Sequence, residues 1–250
     1  MTLIEDSELE EIWNTKAAFQ DNYFRSLKTL VVMDITKDHV IPSQVLPCLK
    51  NLEELEVESC GAVEVIFDVN DIDTKKKGIV SRLKKLTLTM LPNLSRVWKK
   101  NPQGIVSFPN LQEVSVFDCG QLARLFPSSL AINLHKLQRL EIQWCDKLVE
   151  IVEKEDASEL GTAEIFKFPR LFLLLLYNLS RLTCFYPGKH HLECNMLEVL
   201  DVSYCPMLKQ FTSKFHDSYN EAVAESQVSV PITTPWRQQP LFWVEEVTTH

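Results

Sequence analysis

The residues with the greatest potential for chemistry are the seven cysteines and six histidines of this 250-residue chain. Four of the cysteines occupy one recurring place, three residues after an alternating apolar segment: Cys60, Cys119, Cys145 and Cys205. A metal needs thiolates that converge on one point, whereas equivalent side chains of a repeated unit lie along a line, about 4.8 Å apart. The pattern therefore predicts buried packing residues, since a free cysteine behaves as a small apolar side chain.

A second group of candidate ligands lies later in the chain and consists of Cys184, His190, His191 and Cys194. Its spacing matches no common zinc pattern, and the Pro-Gly-Lys stretch at residues 187–189 is typical of a connector. The sequence also lacks the motifs of nucleotide sites and of common hydrolases, and it has only six glycines. We therefore predict no enzymatic activity, no cofactor and no bound metal.

The elements that hold these residues are copies of one repeated segment, and the clearest copy is residues 137–148. Leu140 and Ile142 are two residues apart, as on one face of a strand, and Cys145 and Leu148 follow at three-residue steps. Subtracting neighbouring repeat starts gives spacings of 25, 31, 28, 26, 34 and 26 residues. The shorter spacings fall in the window of about 20–29 residues that is typical of leucine-rich repeats. The seven copies start at Leu27, Leu52, Leu83, Leu111, Leu137, Leu171 and Leu197.

This period predicts an α/β fold, a leucine-rich-repeat solenoid or horseshoe with a parallel concave β-sheet and an irregular convex side. We assign the array of about seven repeats to residues 27–215. Residues 1–26 are interpreted as the tail of a preceding partial repeat, because residues 9–13 match the later residues 94–98. Residues 216–250 form a polar tail with a short apolar end, which is either an incomplete repeat or a segment that docks on the array.

Charge and hydropathy limit the partners and the location of the chain. The net charge of −8 argues against a nucleic-acid partner, whose phosphates attract basic surfaces. The longest apolar run, residues 171–177, is far shorter than the roughly 20 residues that a membrane-spanning helix needs, so we predict no membrane insertion. An odd number of cysteines, and an N-terminus with neither a basic start nor an apolar run, favour a cytoplasmic protein.

The surface left for function is the concave sheet, where the residues between core positions point towards solvent. In the second repeat these are Glu54, Glu56 and Glu58. Their charges repel one another, so the three carboxylates are stable side by side only when they are solvated or face a basic partner. Protein interfaces are enriched in aromatic and arginine residues, so the later repeats predict either a partner-binding surface or a contact with another part of the same protein. The residues that carry this prediction are Phe117, Arg139, Trp144, Leu173, Leu175, Tyr177 and Tyr204.

Two segments resemble a known family. They are Phe-Pro-Asn-Leu-Gln-Glu-Val-Ser-Val-Phe-Asp-Cys at residues 108–119 and Leu-Thr-Leu-Thr-Met-Leu-Pro-Asn-Leu-Ser-Arg-Val-Trp at residues 86–98. They look like the C-terminal repeats of plant intracellular disease-resistance proteins of the coiled-coil NBS-LRR family, and the resemblance covers about residues 9–215. It implies a C-terminal fragment that serves in recognition and autoinhibition during plant defence. The implied protein partner is a pathogen effector, a guarded host protein or the receptor's own nucleotide-binding domain.

The alternative is the cysteine-type repeat of F-box adaptors in ubiquitin ligases, whose repeats select substrates. Those repeats also place cysteine at the ninth position, but they are more uniform and follow an F-box segment. No such segment is recognisable before Leu27, so the sequence favours the resemblance to disease-resistance proteins. Neither the family's coiled-coil domain nor its nucleotide-binding domain has a counterpart in this sequence, and ATP binding is therefore not implied for this chain.

Overall fold

A computed structural model describes residues 2–4, 24, 26–70, 78–100, 102, 104–155 and 164–208. Helical structure in this described part is limited to a short 3-10 helix at Leu46–Cys48 and one α-helix at Ser128–Ala131. The rest consists of strands and turns. In chain order the strands are β1 (Thr2–Ile4), β2 (Thr29–Met33), β3 (His39–Ile41), β4 (Glu54–Glu58), β5 (Val65–Phe67), β6 (Ile79–Val80), β7 (Lys85–Thr89), β8 (Arg96–Trp98), β9 (Val106–Ser107), β10 (Glu113–Phe117), β11 (Arg124–Pro127), β12 (Arg139–Gln143), β13 (Glu150–Glu153), β14 (Glu164–Lys167), β15 (Leu173–Tyr177), β16 (His190–Glu193) and β17 (Val199–Ser203).

Eight of these strands form one parallel sheet in the order β1-β2-β4-β7-β10-β12-β15-β17. Each of the seven repeat starts found in the sequence is followed two residues later by one of these strands. The register keeps equivalent residues side by side, so Leu140 lies between Val114 and Leu174. Because successive side chains of a strand point to opposite faces, the fourth and sixth residues of a repeat enter the core, as Leu140 and Ile142 do.

Every one of the seven repeats turns a sharp corner directly after its strand. In six repeats the N–H of the twelfth residue donates to the carbonyl of the ninth, as from Leu148 to Cys145 at 3.1 Å, which closes the turn. The ninth residue is buried in every repeat: Ile35, Cys60, Leu91, Cys119, Cys145, Leu179 and Cys205. The eighth residue has a positive φ between 51° and 57° in every repeat: Asp34, Ser59, Met90, Asp118, Trp144, Asn178 and Tyr204.

Cysteine suits the ninth position because its thiol is a weak hydrogen-bond donor close to backbone carbonyls. The Cys60 thiol donates to the carbonyl of Glu58 at 3.1 Å and lies 3.9 Å from the carbonyl of Val32 in the preceding repeat. The Cys145 thiol donates to the carbonyl of Gln143 at 3.3 Å. The predicted packing role of the repeat cysteines is therefore confirmed, and all seven cysteines of the chain are free thiols.

The chain after each corner forms the opposite side of the solenoid. There β3, β5 and β8 make a three-stranded parallel sheet, and β11 pairs with β13. Two further parallel pairs, β6 with β9 and β14 with β16, precede the turn into the next repeat. The prediction of a leucine-rich-repeat solenoid with a parallel sheet is confirmed. The side that the sequence predicts to be irregular carries these short paired strands between its turns.

The two sides enclose one continuous apolar core. Near its middle the rings of Phe67 and Trp98 stack with centroids 4.5 Å apart, and Phe108 packs against both rings. Stacked repeats stabilise one another chiefly through such contacts between neighbours. The core therefore fixes the strands that carry the solvent-facing residues of the large sheet.

The segments outside the main array are described only in part. β1 extends the large sheet by one strand, with Thr2 opposite Leu30 and Ile4 opposite Val32. The remainder of the predicted partial repeat, including residues 9–13, and the predicted tail at 216–250 lie outside the described residues. Among the described residues, no helix combines the length and the apolar character that crossing a membrane requires.

Candidate protein-recognition surface

The outer face is the solvent-facing side of the eight-stranded sheet. It is formed by the third, fifth and seventh residues of each repeat, together with the eighth residue at the corner. The register arranges equivalent residues in rows across the strands, so that Gln143 lies between Phe117 and Tyr177. Because neighbouring strands are about 4.8 Å apart, long side chains in adjacent rows and strands contact one another.

Three of the predicted aromatic residues meet on the outer face, and we call them the aromatic ladder: Trp144, Tyr177 and Tyr204. The ring centroids of Trp144 and Tyr177 are 5.8 Å apart at an interplanar angle of 56°, and those of Tyr177 and Tyr204 are 5.2 Å apart at 74°. Tilted and edge-on arrangements of this kind are the favourable ones for aromatic pairs. Trp144 and Tyr204 nevertheless remain 46% and 70% exposed. The ladder therefore presents a broad aromatic surface to solvent across β12, β15 and β17.

The backbone is strained at two positions of the aromatic ladder. Trp144 and Tyr204 both have a φ of 57°. The left-handed conformation costs a residue with a side chain about 1–2 kcal/mol, and asparagine and aspartate adopt it most readily because their side chains bond locally. Asp118 and Asn178, at the equivalent corners of neighbouring repeats, are of that favourable type. All seven corners share this φ, so it belongs to the repeat turn, and Trp144 and Tyr204 occupy it without the local side-chain bonding of aspartate or asparagine.

Other predicted residues of the later repeats surround the aromatic ladder. Phe117 is 40% exposed and lies in the same row as Tyr177, two strands away. Leu173 and Leu175 are half-buried on the outer face of β15. Val199, beside Leu173 on the next strand, was missed by the sequence reasoning although it is as exposed as Trp144. The signal that could have found it is its place as the third residue of the last repeat.

Arg139 lies on the outer face but already has partners in this chain. Its Nη2 donates to Oε1 of Glu141 at 2.6 Å, and its guanidinium carbon lies 5.9 Å from the ring centroid of Phe172. The pair is half-buried at the surface, where ion pairs contribute little to stability. The two contacts hold the guanidinium between β12 and Phe172, the residue that precedes β15.

The acidic residues of the second repeat lie on the outer face of β4, far from the aromatic ladder. Glu54 accepts a hydrogen bond from the Thr29 hydroxyl at 3.1 Å and faces Lys85 across the register. Glu56 and Glu58 face threonines of β7. Lys85 therefore offsets the charge of Glu54, while Glu56 and Glu58 lie opposite uncharged residues of β7.

The amino-acid sequence that forms this surface is similar to those of known proteins. The family described as "Plant disease resistance protein RPS2-like, leucine-rich repeats" matches residues 1–146, which are more than half of the chain. The chain belongs to this family. It is also similar to the Arabidopsis thaliana protein named "Putative disease resistance protein At4g19050", with 31% identity over 153 residues. That match covers 61% of this chain and 11% of the relative, so the chain spans only a small part of the relative's length.

Leucine-rich repeats of plant disease resistance proteins are generally non-catalytic modules that bind other proteins. The family match therefore favours the resemblance to resistance proteins over the F-box alternative. The matched residues include Trp144 but end before Tyr177 and Tyr204. Two of the three residues of the aromatic ladder thus lie in repeats beyond the part of the chain that carries the family match.

Burial makes the cysteine thiols of these repeats harder to ionise and therefore less reactive. It raises the pKa of Cys194 to about 12 and also raises the pKa of Cys60 and Cys205. The neighbouring thiol of Cys145, together with burial, raises the pKa of Cys119. The thiolate is the form that attacks substrates and binds metals. These thiols are therefore protonated near neutral pH and act as packing residues.

The later group of candidate ligands does not form a metal site. His190 is buried beside the ring of Phe166, with ring centroids 6.1 Å apart, and its Nδ1 lies 2.9 Å from the carbonyl oxygen of Gly188. Within the described ranges, no three histidine, cysteine, aspartate or glutamate side chains are arranged to hold a metal ion. This applies to the group that the sequence singled out, Cys184, His190, His191 and Cys194.

Proposed function

We propose that this chain is the non-catalytic recognition module of a plant innate-immune receptor of the NBS-LRR type. Its outer face binds a pathogen effector or a guarded host protein, or holds the receptor's own nucleotide-binding domain in the inactive state. The observation that carries the proposal is the aromatic ladder, three exposed or half-buried rings of which Tyr177 contacts both Trp144 and Tyr204.

The composition of this region supports protein binding. Tryptophan and tyrosine supply large contact areas at a low cost in conformational entropy, and binding hot spots are enriched in them. The half-buried side chains of Leu173 and Leu175 and the exposed side chain of Val199 lie beside the ladder and enlarge the apolar surface. A cluster of exposed apolar groups on one face is typical of an interaction site.

The experiment that tests this function compares partner binding by matched variants. The tagged chain and its Trp144→Ala/Tyr177→Ala variant are purified from infected and uninfected leaf tissue, and co-purifying proteins are quantified by mass spectrometry. A matched control, Ile165→Ala/Met196→Ala, removes two exposed apolar side chains that lie off the outer face. We expect the aromatic variant, and not the control, to lose its specific partners.

The outcomes separate the proposed function from its rival. Partners retained equally by all three proteins would contradict recognition through the aromatic ladder. Recovery of ubiquitin-ligase scaffold subunits, in place of immune-receptor domains or effectors, would instead favour an F-box type adaptor.

The proposed location of the chain is the cytoplasm. Support comes from the seven free thiols, which are typical of a reducing compartment. Fluorescence microscopy of the tagged chain in leaf cells tests this proposal, and a signal confined to the apoplast or the secretory pathway would contradict it.

A further inference from the structure

The outer face has an uneven distribution of charge. In the rows formed by the fifth, seventh and eighth residues of the seven repeats, no lysine or arginine occurs. Basic residues of the outer face are confined to the third row, where Glu54, Lys85, Glu113 and Arg139 alternate in sign. The fifth, seventh and eighth rows carry six carboxylates: Asp34, Glu56, Glu58, Asp118, Glu141 and Asp201.

Three carboxylates of these rows lie closest to the aromatic ladder: Asp118, Glu141 and Asp201. Asp201 accepts a hydrogen bond at 2.6 Å from the Ser203 hydroxyl, which is an uncharged partner. Asp118 occupies the corner one repeat before Trp144 and is exposed. Glu141 forms an ion pair with Arg139 at 2.6 Å, which partly neutralises its charge.

Rings and carboxylates side by side recognise a particular chemistry. A guanidinium group stacks on an aromatic face, and its fork of donors binds a carboxylate in the same plane. A purely apolar partner would bury these carboxylates without compensation, which is costly. A basic partner gains from both the rings and the charges.

We propose that the outer face of the later repeats docks a basic, arginine-bearing segment of a protein partner. Guanidinium groups stack on Trp144, Tyr177 and Tyr204 while pairing with Asp118 and Asp201. This inference rests on the proposed recognition function and adds the chemical class of the partner. It applies equally to an effector, a host protein or another domain of the receptor.

The probe is a short labelled peptide of alternating arginine and glycine residues, with two matched peptides that carry citrulline or lysine in place of arginine. Binding to the full chain is measured by fluorescence anisotropy. We expect the arginine peptide to bind about tenfold more tightly than the citrulline peptide, which has the same shape without the charge, and more tightly than the lysine peptide. Raising the salt from about 0.1 M to about 1 M shortens the Debye length from about 10 Å to about 3 Å and should weaken binding.

Two variants with equal charge changes locate the binding. Asp118→Asn/Asp201→Asn removes two carboxylates beside the aromatic ladder, whereas Glu64→Gln/Glu193→Gln removes two that lie off the outer face. We expect the first variant, and also Trp144→Ala/Tyr177→Ala, to weaken arginine-peptide binding about tenfold. The second variant should change it less than twofold.

Equal weakening by both charge variants would overturn the proposal, because binding would then follow net charge alone. Loss of binding in the aromatic variant only, with no effect of salt or of Asp118→Asn/Asp201→Asn, would overturn it in favour of an apolar partner. Self-association that depends on the ladder, seen by analytical ultracentrifugation, would overturn it in favour of a second copy of the chain. In these last two cases recognition through the outer face survives, so the failure of this inference is distinguishable from the failure of the proposed function.

Discussion

The eighth and ninth residues of the repeats are neighbours in sequence but form two very different rows. The ninth row lies in the core, where only leucine, isoleucine and cysteine occur. The eighth row lies at the exposed corner and contains aspartate, serine, methionine, asparagine, tryptophan and tyrosine. The eighth row has a left-handed φ in every repeat, and the ninth residue that follows is buried in every repeat. Packing therefore restricts the ninth residue, whereas the eighth residue is restricted mainly by its left-handed φ.

This contrast separates structural residues from candidate recognition residues. A bulky aromatic residue at a left-handed corner costs backbone energy and gains little from the core. Trp144, Tyr204 and Met90 are therefore exceptions to the local rule, and the two aromatic ones belong to the aromatic ladder. Places where local preference is violated without a structural gain are expected at functional sites.

The largest expected effect concerns the ninth row. Leu179→Ala should lower the free energy of unfolding by about 2–5 kcal/mol, because it removes a fully buried side chain and leaves a cavity between repeats. Asn178→Ala, one residue earlier, should cost less, since it deletes no core group. The measurement is equilibrium unfolding in urea. Equal losses for the two variants would show that the rows do not differ as described.

Much of the fold follows from the sequence because the repeat period fixes which residues enter the core. Every strand of the large sheet between residues 27 and 208 begins two residues after a repeat start that leucine spacing alone identifies. The short strands on the opposite side could not be predicted in the same way. Segments such as Val65–Phe67 and Arg96–Trp98 are too short for a period, and their pairing depends on how the repeats stack.

The candidate surface was predictable in its members but not in its geometry. Alternation identifies Tyr177 as outward-facing, and the corner residues Trp144 and Tyr204 follow from their place after a strand. Their contacts depend on the register of strands far apart in sequence, in which Tyr177 lies opposite Gln143, 34 residues earlier, and opposite Ser203, 26 residues later. The left-handed corners were missed. The available signal was the frequency of aspartate, asparagine and serine at the eighth position, since these residues favour such turns.

An intermediate effect is expected at the eighth row. Asp118→Val should lower the free energy of unfolding by about 1–2 kcal/mol, because a β-branched side chain clashes in the left-handed conformation. Phe117→Val is a matched control at the preceding, extended and similarly exposed residue, and should change stability by less than about 0.5 kcal/mol. Asp118→Asn removes the charge without the clash. If it costs as much as Asp118→Val, then charge and not φ restricts this row.

The smallest expected effect concerns the ninth row and is a change in the free energy of unfolding at alkaline pH. The Cys145 thiol and burial raise the pKa of Cys119 in the folded state, whereas an unfolded thiol ionises near about 8.5. At pH values between the unfolded and the folded pKa, the unfolded state holds fewer protons than the folded state. The contribution of this thiol to the free energy of unfolding is therefore intact below about pH 8.5. It falls as the pH rises, by at most about 1.4 kcal/mol per pH unit. Urea unfolding at pH 8.0, 8.5 and 9.0, a range over which the expected change is below about 1 kcal/mol, should show a shallower decline for Cys119→Ala than for the unmodified chain. Identical slopes would mean that the Cys119 thiol ionises as readily in the folded chain as in the unfolded one, and that the ninth row does not shield it.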